Sequence, residues 1–146
     1  MARFELSRTA PLSAADSWQR LTDWQRHAER VPFTRVGLAA GSPQGAGGLV
    51  VARTSLFGLG FDDPMEIVRW QPPGAGPEAA GRCRLEKRGR VVRGWAEITI
   101  TALGPNSLVG WDEEVFCRGV PQVAGPALAA VGRRMFGRVL DTLLAP

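Results

Sequence analysis

The amino-acid sequence predicts an α+β protein in which one long helix covers one face of a curved antiparallel sheet of about six or seven strands. One strand pattern opens the chain of 146 residues, two short helical patterns follow, and about six more strand patterns come next. Short turns separate consecutive strand patterns, which implies antiparallel pairing. One helical pattern closes the chain, and its apolar face must pack on the sheet. A sheet that curves around this helix leaves room for a cavity between them, and the length suits one domain, residues 1–146.

Local signals define the first strand and the two helices after it. Phe4–Ala10 alternates apolar and polar side chains, which is typical of a half-buried strand. Ser13 can accept a hydrogen bond from an open N–H group in the first turn of a helix that we expect over residues 13–23. A second short helix is predicted over Trp24–Arg30. Pro32 ends it, because a residue before proline is pushed out of helical geometry.

The rest of the chain carries six strand patterns and the closing helix. Gly, Pro and Asn turn signals bound the strand patterns, which cover residues 33–41, 49–57, 61–70, 82–89, 90–102 and 107–119. The Gly- and Pro-rich stretches 41–48 and 71–81 are predicted loops. The closing helix is predicted over Gln122–Leu144. Its apolar side chains recur every three or four residues and form one stripe, made of Leu128, Val131, Met135, Val139 and Leu143.

The composition is that of an ordinary soluble domain, with 45% hydrophobic and 22% charged residues. No apolar run approaches the roughly 20 residues needed to span a bilayer. The N-terminal stretch, residues 1–11, has no apolar signal core. We therefore expect a cytoplasmic protein without a membrane span.

The net charge of +4 is concentrated in a basic run, Arg82–Arg93. Of the 18 basic residues only Lys87 is a lysine, which indicates codon bias as much as selection for anion binding. The run is either a phosphate-contacting hairpin or a solvated strand–turn–strand tip. Its charges alternate with apolar neighbours, and it lacks the aromatic residues that nucleic-acid-binding sheets usually add. We therefore favour the solvated tip and do not expect nucleic-acid binding.

Motifs for metal or cofactor chemistry are missing from the sequence. Cys83 and Cys117 lie far apart without a CxxC pairing, so we expect free and mostly buried thiols. There is no Gly-rich phosphate loop, HExxH, GxSxG or paired set of metal ligands. We expect no metal and no cofactor.

Four stretches carry a resemblance to a known family. They are "LTDWQRHAERVP" after the first helix, "DPMEIVRWQPP" in mid-sheet, "RGWAEITI" leading into "LVGWDEEV", and "GRRMFGRVLDTLL" in the closing helix. The chain resembles the START-like helix-grip superfamily (SRPBCC-type), and most closely its polyketide cyclase/dehydrase and lipid-transport family. The resemblance implies binding or carriage of a small hydrophobic ligand, such as a lipid or polyketide. It equally allows a polyketide cyclase/aromatase-type enzyme, so whether the protein is an enzyme stays open, as does a homodimer.

Strand alternation and the resemblance together select candidate ligand contacts. The resemblance places the short helices at the cavity rim, with Trp24 and Phe33 as apolar rim residues. Alternation turns every second strand residue towards the long helix. The full set of candidate ligand-binding residues is Trp24, Phe33, Met65, Ile67, Leu85, Ile98, Trp111, Glu113, Val131 and Met135.

Three titratable residues are weak candidates for catalysis. Glu113 shares the inward parity of Trp111, and burial would disfavour its charged form, so it could move a proton or anchor a ligand. Arg69 shares the parity of Met65 and could pair with Glu113, which would then be a structural salt bridge. His27 is either a general base or a structural or surface residue. Alternatively, Glu113 lies at a wet strand end, or a one-residue slip places Glu97 inward instead.

Overall fold

A computed structural model describes residues 2–56, 58–74 and 79–146 of the chain. Within them seven strands form one antiparallel sheet in the order β1-β7-β6-β5-β4-β3-β2. The strands are β1 (Ala2–Ala10), β2 (Thr34–Leu38), β3 (Leu49–Leu56), β4 (Leu59–Gln71), β5 (Gly81–Arg88), β6 (Val92–Leu103) and β7 (Asn106–Cys117). The predicted strands are all present. Phe57, at the end of the predicted strand 49–57, and residues 75–78 of the predicted loop lie outside the described residues.

Two α-helices and two 3₁₀ helices complete the described fold. Helix α1 covers Ala14–Leu21, and the hydroxyl of Ser13 accepts a hydrogen bond from the backbone N–H of Asp16 at 3.1 Å, as the capping signal predicted. The predicted second helix is present at Trp24–Arg30, in the tighter 3₁₀ form. The closing helix starts with a 3₁₀ turn at Gln122–Ala124 and continues as α2, Gly125–Leu143.

Helix α2 lies across the concave face of the sheet, which confirms the predicted helix-grip architecture. Its C-terminal half is firmly packed, since Val139, Leu140 and Leu143 are completely or almost completely buried. Its N-terminal half approaches β1 closely. A methyl group at Gly132 would lie 2.5 Å from the ring of Phe4, so only a glycine allows this distance.

Tryptophans fill the end of the sheet nearest α1. Trp18 of α1 contacts Trp70 of β4 edge to face, with ring centroids 4.9 Å apart. Beneath them Cys83, Ile98 and Ile100 are completely buried. The core is therefore dense at this end, and the space under α2 is left at the opposite end.

The basic run lies mainly on the outer face of the sheet, where three of its arginines pair with carboxylates. Arg84 contacts Glu86 at 3.0 Å and Glu97 at 3.3 Å, and its guanidinium lies 4.4 Å from the ring centroid of Trp95. Trp95 and Glu97 are thus on the outer face. None of the helices in the described ranges is long and apolar enough to cross a membrane.

Candidate functional site

Two connected spaces lie between the sheet and the N-terminal half of α2. The inner chamber, of about 90 Å³, is closed over by the 3₁₀ helix at Trp24–Arg30. The mouth chamber, of about 220 Å³, opens between the first residues of β4 and the start of α2. Both chambers are lined mainly by apolar side chains. Six residues line both and so mark the junction: Thr34, Ala52, Asp63, Lys87, Glu113 and Phe136.

Three charged side chains meet at this junction, and we call them the charged triad: Asp63, Lys87 and Glu113. The ammonium Nζ of Lys87 donates a hydrogen bond to Oδ2 of Asp63 at 2.7 Å and lies 3.3 Å from Oε1 of Glu113. The side chains of Lys87 and Glu113 are 4% and 3% exposed, and that of Asp63 is 14% exposed. Charged side chains are rarely buried unless they are paired, and here each charged group has a neighbour of opposite charge.

The sheet brings the triad together because of two small residues on β6. Lys87 of β5 and Glu113 of β7 are separated by β6, where their direct partners are Gly94 and Ala96. These partners have side chains too small to fill the space above β6. The long side chains from either side can therefore meet over the strand, and Asp63 reaches the same point from β4.

Burial and charge set the protonation of the triad. Burial would lower the pKa of Lys87, but the neighbouring carboxylates of Glu113 and Asp63 outweigh it, and the pKa is raised. Burial raises the pKa of Glu113, and Lys87 and the hydrogen bond from Trp111 offset this only in part. The ammonium of Lys87 lies closer to Asp63 than to Glu113, and burial favours the protonated form of Glu113.

Aromatic rings connect the triad to the 3₁₀ helix. The indole Nε1 of Trp111 donates a hydrogen bond to Oε2 of Glu113 at 3.0 Å. The ring of Trp111 stacks on Phe136 of α2, with centroids 4.9 Å apart, and lies 5.7 Å from the ring of His27. Glu113 and His27 therefore line the same inner chamber on either side of one tryptophan.

His27 is buried and neutral. Its Nε2 lies 2.6 Å from the backbone carbonyl of Leu21, and because a carbonyl can only accept, Nε2 carries the proton. Burial lowers the pKa of His27, and this effect outweighs the hydrogen bond to Leu21. The ring thus has a structural role in holding the 3₁₀ helix against α1, in addition to lining the chamber.

Trp24 separates the inner chamber from an outer groove. The groove, of about 590 Å³, lies on the far side of the 3₁₀ helix, and Trp24 lines both spaces. The indole Nε1 of Trp24 donates to Oε1 of Gln44 at 2.8 Å, and the side-chain amide of Gln44 donates to the carbonyl of Thr22 at 2.8 Å. The Gly-rich loop 41–48 therefore holds the tryptophan in place through Gln44.

Most of the predicted contacts lie at these chambers. Trp24, Met65, Leu85, Trp111 and Glu113 line the inner chamber. Val131 and Met135 line the mouth chamber, although Val131 is 61% exposed and belongs to its outer edge.

Three predicted ligand contacts are placed elsewhere. Ile67 and Ile98 point to the concave face but are completely buried in the core, and they line neither chamber. The tryptophan-filled end of the sheet accounts for Ile98, which pairs with Cys83 there. Phe33 is 64% exposed, because its backbone adopts a left-handed conformation (φ 59°) that turns the side chain away from the cavity.

The prediction that Arg69 shares the inward parity of Met65 and could pair with Glu113 is wrong. The register between β4 and β5 shifts between Ile67 and Arg69, so a β-bulge reverses the alternation at this point. Arg69 is exposed on the outer face and donates to Oε1 of Gln71 at 3.1 Å. A bulge of one residue leaves no distinct pattern in a single sequence.

Sequence reasoning missed Asp63, Lys87 and Phe136. The sequence carries a signal for Lys87, since this residue shares the parity of the predicted ligand contact Leu85. Phe136 lies beside the predicted stripe of α2 and lines both chambers. In the described parts of the chain no group of three or more His, Cys, Asp or Glu residues is placed to hold a metal ion.

Comparisons with known proteins agree with this architecture. A model of the family described as polyketide cyclase/dehydrase and lipid transport matches residues 1–145. A START superfamily protein from Mycobacterium smegmatis is 15% identical with a TM-score of 0.64, covering 99% of this chain and 97% of that chain. No curated protein matches the sequence.

Two aromatase/cyclase structures share the fold as well. The Zhui aromatase/cyclase from Streptomyces sp. R1128 is 18% identical with a TM-score of 0.60, covering 97% of this chain and 90% of that chain. The di-domain ARO/CYC StfQ from the steffimycin biosynthetic pathway is 12% identical with a TM-score of 0.70, covering 98% of this chain and 50% of that chain. At these identities the likeness establishes the fold.

Proposed function

The chain belongs to the polyketide cyclase/dehydrase and lipid-transport family, and from this membership we propose that it binds a small hydrophobic molecule in the two chambers under α2. Membership and fold support a ligand-binding or cyclase role without naming the ligand. The observation that carries the proposal is the charged triad at the junction of two apolar spaces. Apolar walls provide affinity, and a few placed polar groups fix orientation.

The size and lining of the chambers indicate the kind of molecule. An apolar cavity of about 150 Å³ takes up benzene, so the mouth chamber alone, at about 220 Å³, can hold a compact aromatic or branched aliphatic group. The inner chamber can take a further small substituent. We propose that Met65, Leu85, Trp111 and Phe136 contact the ligand, with Val131 and Met135 at the entrance.

A cyclase-type enzyme is the second candidate, and the placement of Glu113 favours it. Burial raises the pKa of Glu113, so this carboxyl group keeps its proton to a higher pH than an exposed one, which suits a general acid–base residue. His27 lines the same chamber, but its Nε2 is engaged with Leu21. Arg69 is on the outer face, so in this proposal Glu113 is the proton-transferring residue and Lys87 sets its charge.

A titration of the ¹⁵N-labelled protein with 2-methylnaphthalene tests the binding proposal, together with native mass spectrometry of whatever co-purifies. Saturable shifts confined to residues around the chambers would support it. Ala52 lines both chambers, so Ala52→Leu should fill the junction and weaken binding at least tenfold. Val51→Leu, on the opposite face of β3, is the matched control and should bind as the parent does. Shifts scattered over the outer face, or equal binding by both variants, would refute the proposal.

A further inference from the structure

One oxygen of the charged triad has no hydrogen-bond partner in the part of the chain that the structure describes. Oδ2 of Asp63 accepts from Lys87, while Oδ1 is buried and has no hydrogen-bond partner among the residues that the structure describes. Glu113, by contrast, uses both oxygens, one on Lys87 and one on Trp111. A buried acceptor without a donor is unfavourable, and such groups in native proteins call for an explanation.

We propose that the ligand supplies this donor: the chambers bind a hydrophobic molecule that carries a hydroxyl or ammonium group and presents it to the carboxylate of Asp63. This inference rests on the binding function proposed above. Asp63 lines both chambers and keeps 14% of its side chain accessible, so a ligand in either chamber can reach it. The carboxyl torsion is soft, so a small rotation turns Oδ1 towards an incoming donor.

The charges around Asp63 set the preference for donors over anions. The triad holds two carboxylates against a single ammonium, and that ammonium is engaged by both. The nearest other titratable residue that lines the inner chamber is His27, which is neutral. A carboxylate on the ligand would meet the oxygens of Asp63 and Glu113 without a free cation among the described lining residues. The site should therefore reject fatty-acid-like anions and accept phenols, alcohols or amines.

A series of probes matched in shape tests this on the unmodified protein. 2-Methylnaphthalene, 2-naphthol and 2-naphthoate differ only in the group offered to the triad, and 2-naphthylmethylamine adds a cationic donor. Calorimetry should give 2-naphthol a dissociation constant about ten- to a hundredfold lower than 2-methylnaphthalene, as expected for a hydrogen bond to a charged group. 2-Naphthoate should bind more weakly than both. Comparing the hydroxyl and the amine distinguishes a neutral donor from a cation.

The variant Asp63→Asn should weaken the preference for a donor. Lys87 can only donate, so it will hold the amide oxygen of the new side chain and leave the NH₂ group facing the ligand. The ratio of the dissociation constants of 2-methylnaphthalene and 2-naphthol should then fall at least fivefold. 2-Acetylnaphthalene, whose carbonyl can only accept a hydrogen bond, should bind more tightly than it does to the unmodified protein. Asp62→Asn is the matched control, because Asp62 pairs with Arg53 on the outer face at 2.9 Å. Near-ultraviolet circular dichroism checks that both variants are folded.

The outcomes distinguish a failure of the donor assignment from a failure of the proposed binding function. If 2-methylnaphthalene binds in the chambers and 2-naphthol binds no more tightly, the donor assignment is wrong and the binding function stands. The same conclusion follows if 2-naphthoate is the preferred probe. If none of the four probes binds, both proposals are overturned.

Discussion

Replacing Lys87 by methionine most directly tests how much the charged triad contributes to the stability of the fold. Methionine has a similar length but no charge, so the change leaves Asp63 and Glu113 as two buried carboxylates without a counter-ion. Breaking a buried ion pair by removing one partner typically costs about 3–5 kcal/mol of unfolding free energy. The lysine side chain is 4% exposed and contacts both carboxylates, so solvent screening should not reduce this figure much.

The unfolding free energy lost in Lys87→Met should increase with pH, because of the protonation of Glu113. Its pKa in the folded protein is raised by burial, and Lys87 is the largest influence that lowers it, so the variant raises it further. A carboxyl group with a raised folded pKa binds its proton more tightly in the folded state. Its contribution to stability is therefore complete below the ordinary pKa and is lost as the pH rises towards the folded pKa. The deficit of Lys87→Met should be smallest near pH 4 and largest near pH 8.

Urea denaturation followed by tryptophan fluorescence at pH 4.5, 6 and 8 measures the effect. Arg88→Met is the matched control, because Arg88 is the next residue on β5, is 51% exposed and pairs with Glu66 on the outer face. An exposed pair of this kind contributes about 0–1 kcal/mol. Adding Glu113→Gln to Lys87→Met should recover part of the stability at pH 8. Equal stabilities for Lys87→Met and Arg88→Met at pH 8 would refute the reasoning.

Two further predictions concern α2 and the thiols. Gly132→Ala should destabilise the protein by about 1–3 kcal/mol, since its methyl group would overlap the ring of Phe4. Gly137→Ala in the same helix is the control, because its methyl group meets only the end of a flexible arginine and the change should be neutral or slightly stabilising. Thermal melts measure both variants, and equal changes in melting temperature would contradict the close approach of α2 to Phe4. Burial raises the pKa of both thiols, that of Cys83 to about 12, but Cys83 is completely buried and Cys117 only half-buried. Pulsed iodoacetamide labelling of the native protein at pH 8 should therefore modify Cys117 slowly and Cys83 only after unfolding. Labelling of Cys83 at the rate of Cys117, read by peptide mass spectrometry, would count against a rigid core at that position.

The elements of the fold were predictable because each has a local cause. Ser13 marks the start of α1, Pro32 marks the end of the 3₁₀ helix, and the turn signals bound the strands close to where the structure has them. Period-two alternation was enough to assign Met65, Leu85, Trp111 and Glu113 to the concave face.

The site was less predictable because it depends on features that one sequence does not display. The bulge after Ile67 reverses the direction of Arg69, and nothing in "EIVRW" marks it. Lys87 carries two signals that were available, its inward parity and its status as the single lysine in a chain that otherwise uses arginine. A compact ammonium fits a crowded junction better than a broad guanidinium, so this exception to the arginine usage has a physical reason.

The position of β1 has a consequence for how the protein reaches its native state. The first strand of the chain pairs with the last one, Ala2 opposite Val115 and Ala10 opposite Ser107, whereas the strands between them pair with their sequence neighbours. During synthesis β1 therefore leaves the ribosome long before its partner exists, and its edge stays unpaired until more than a hundred further residues have followed. Contacts of such long range slow folding and expose intermediates to aggregation. Production of the protein should therefore be sensitive to temperature and to chaperone supply, and the cavity comes into existence only with the last strand and helix.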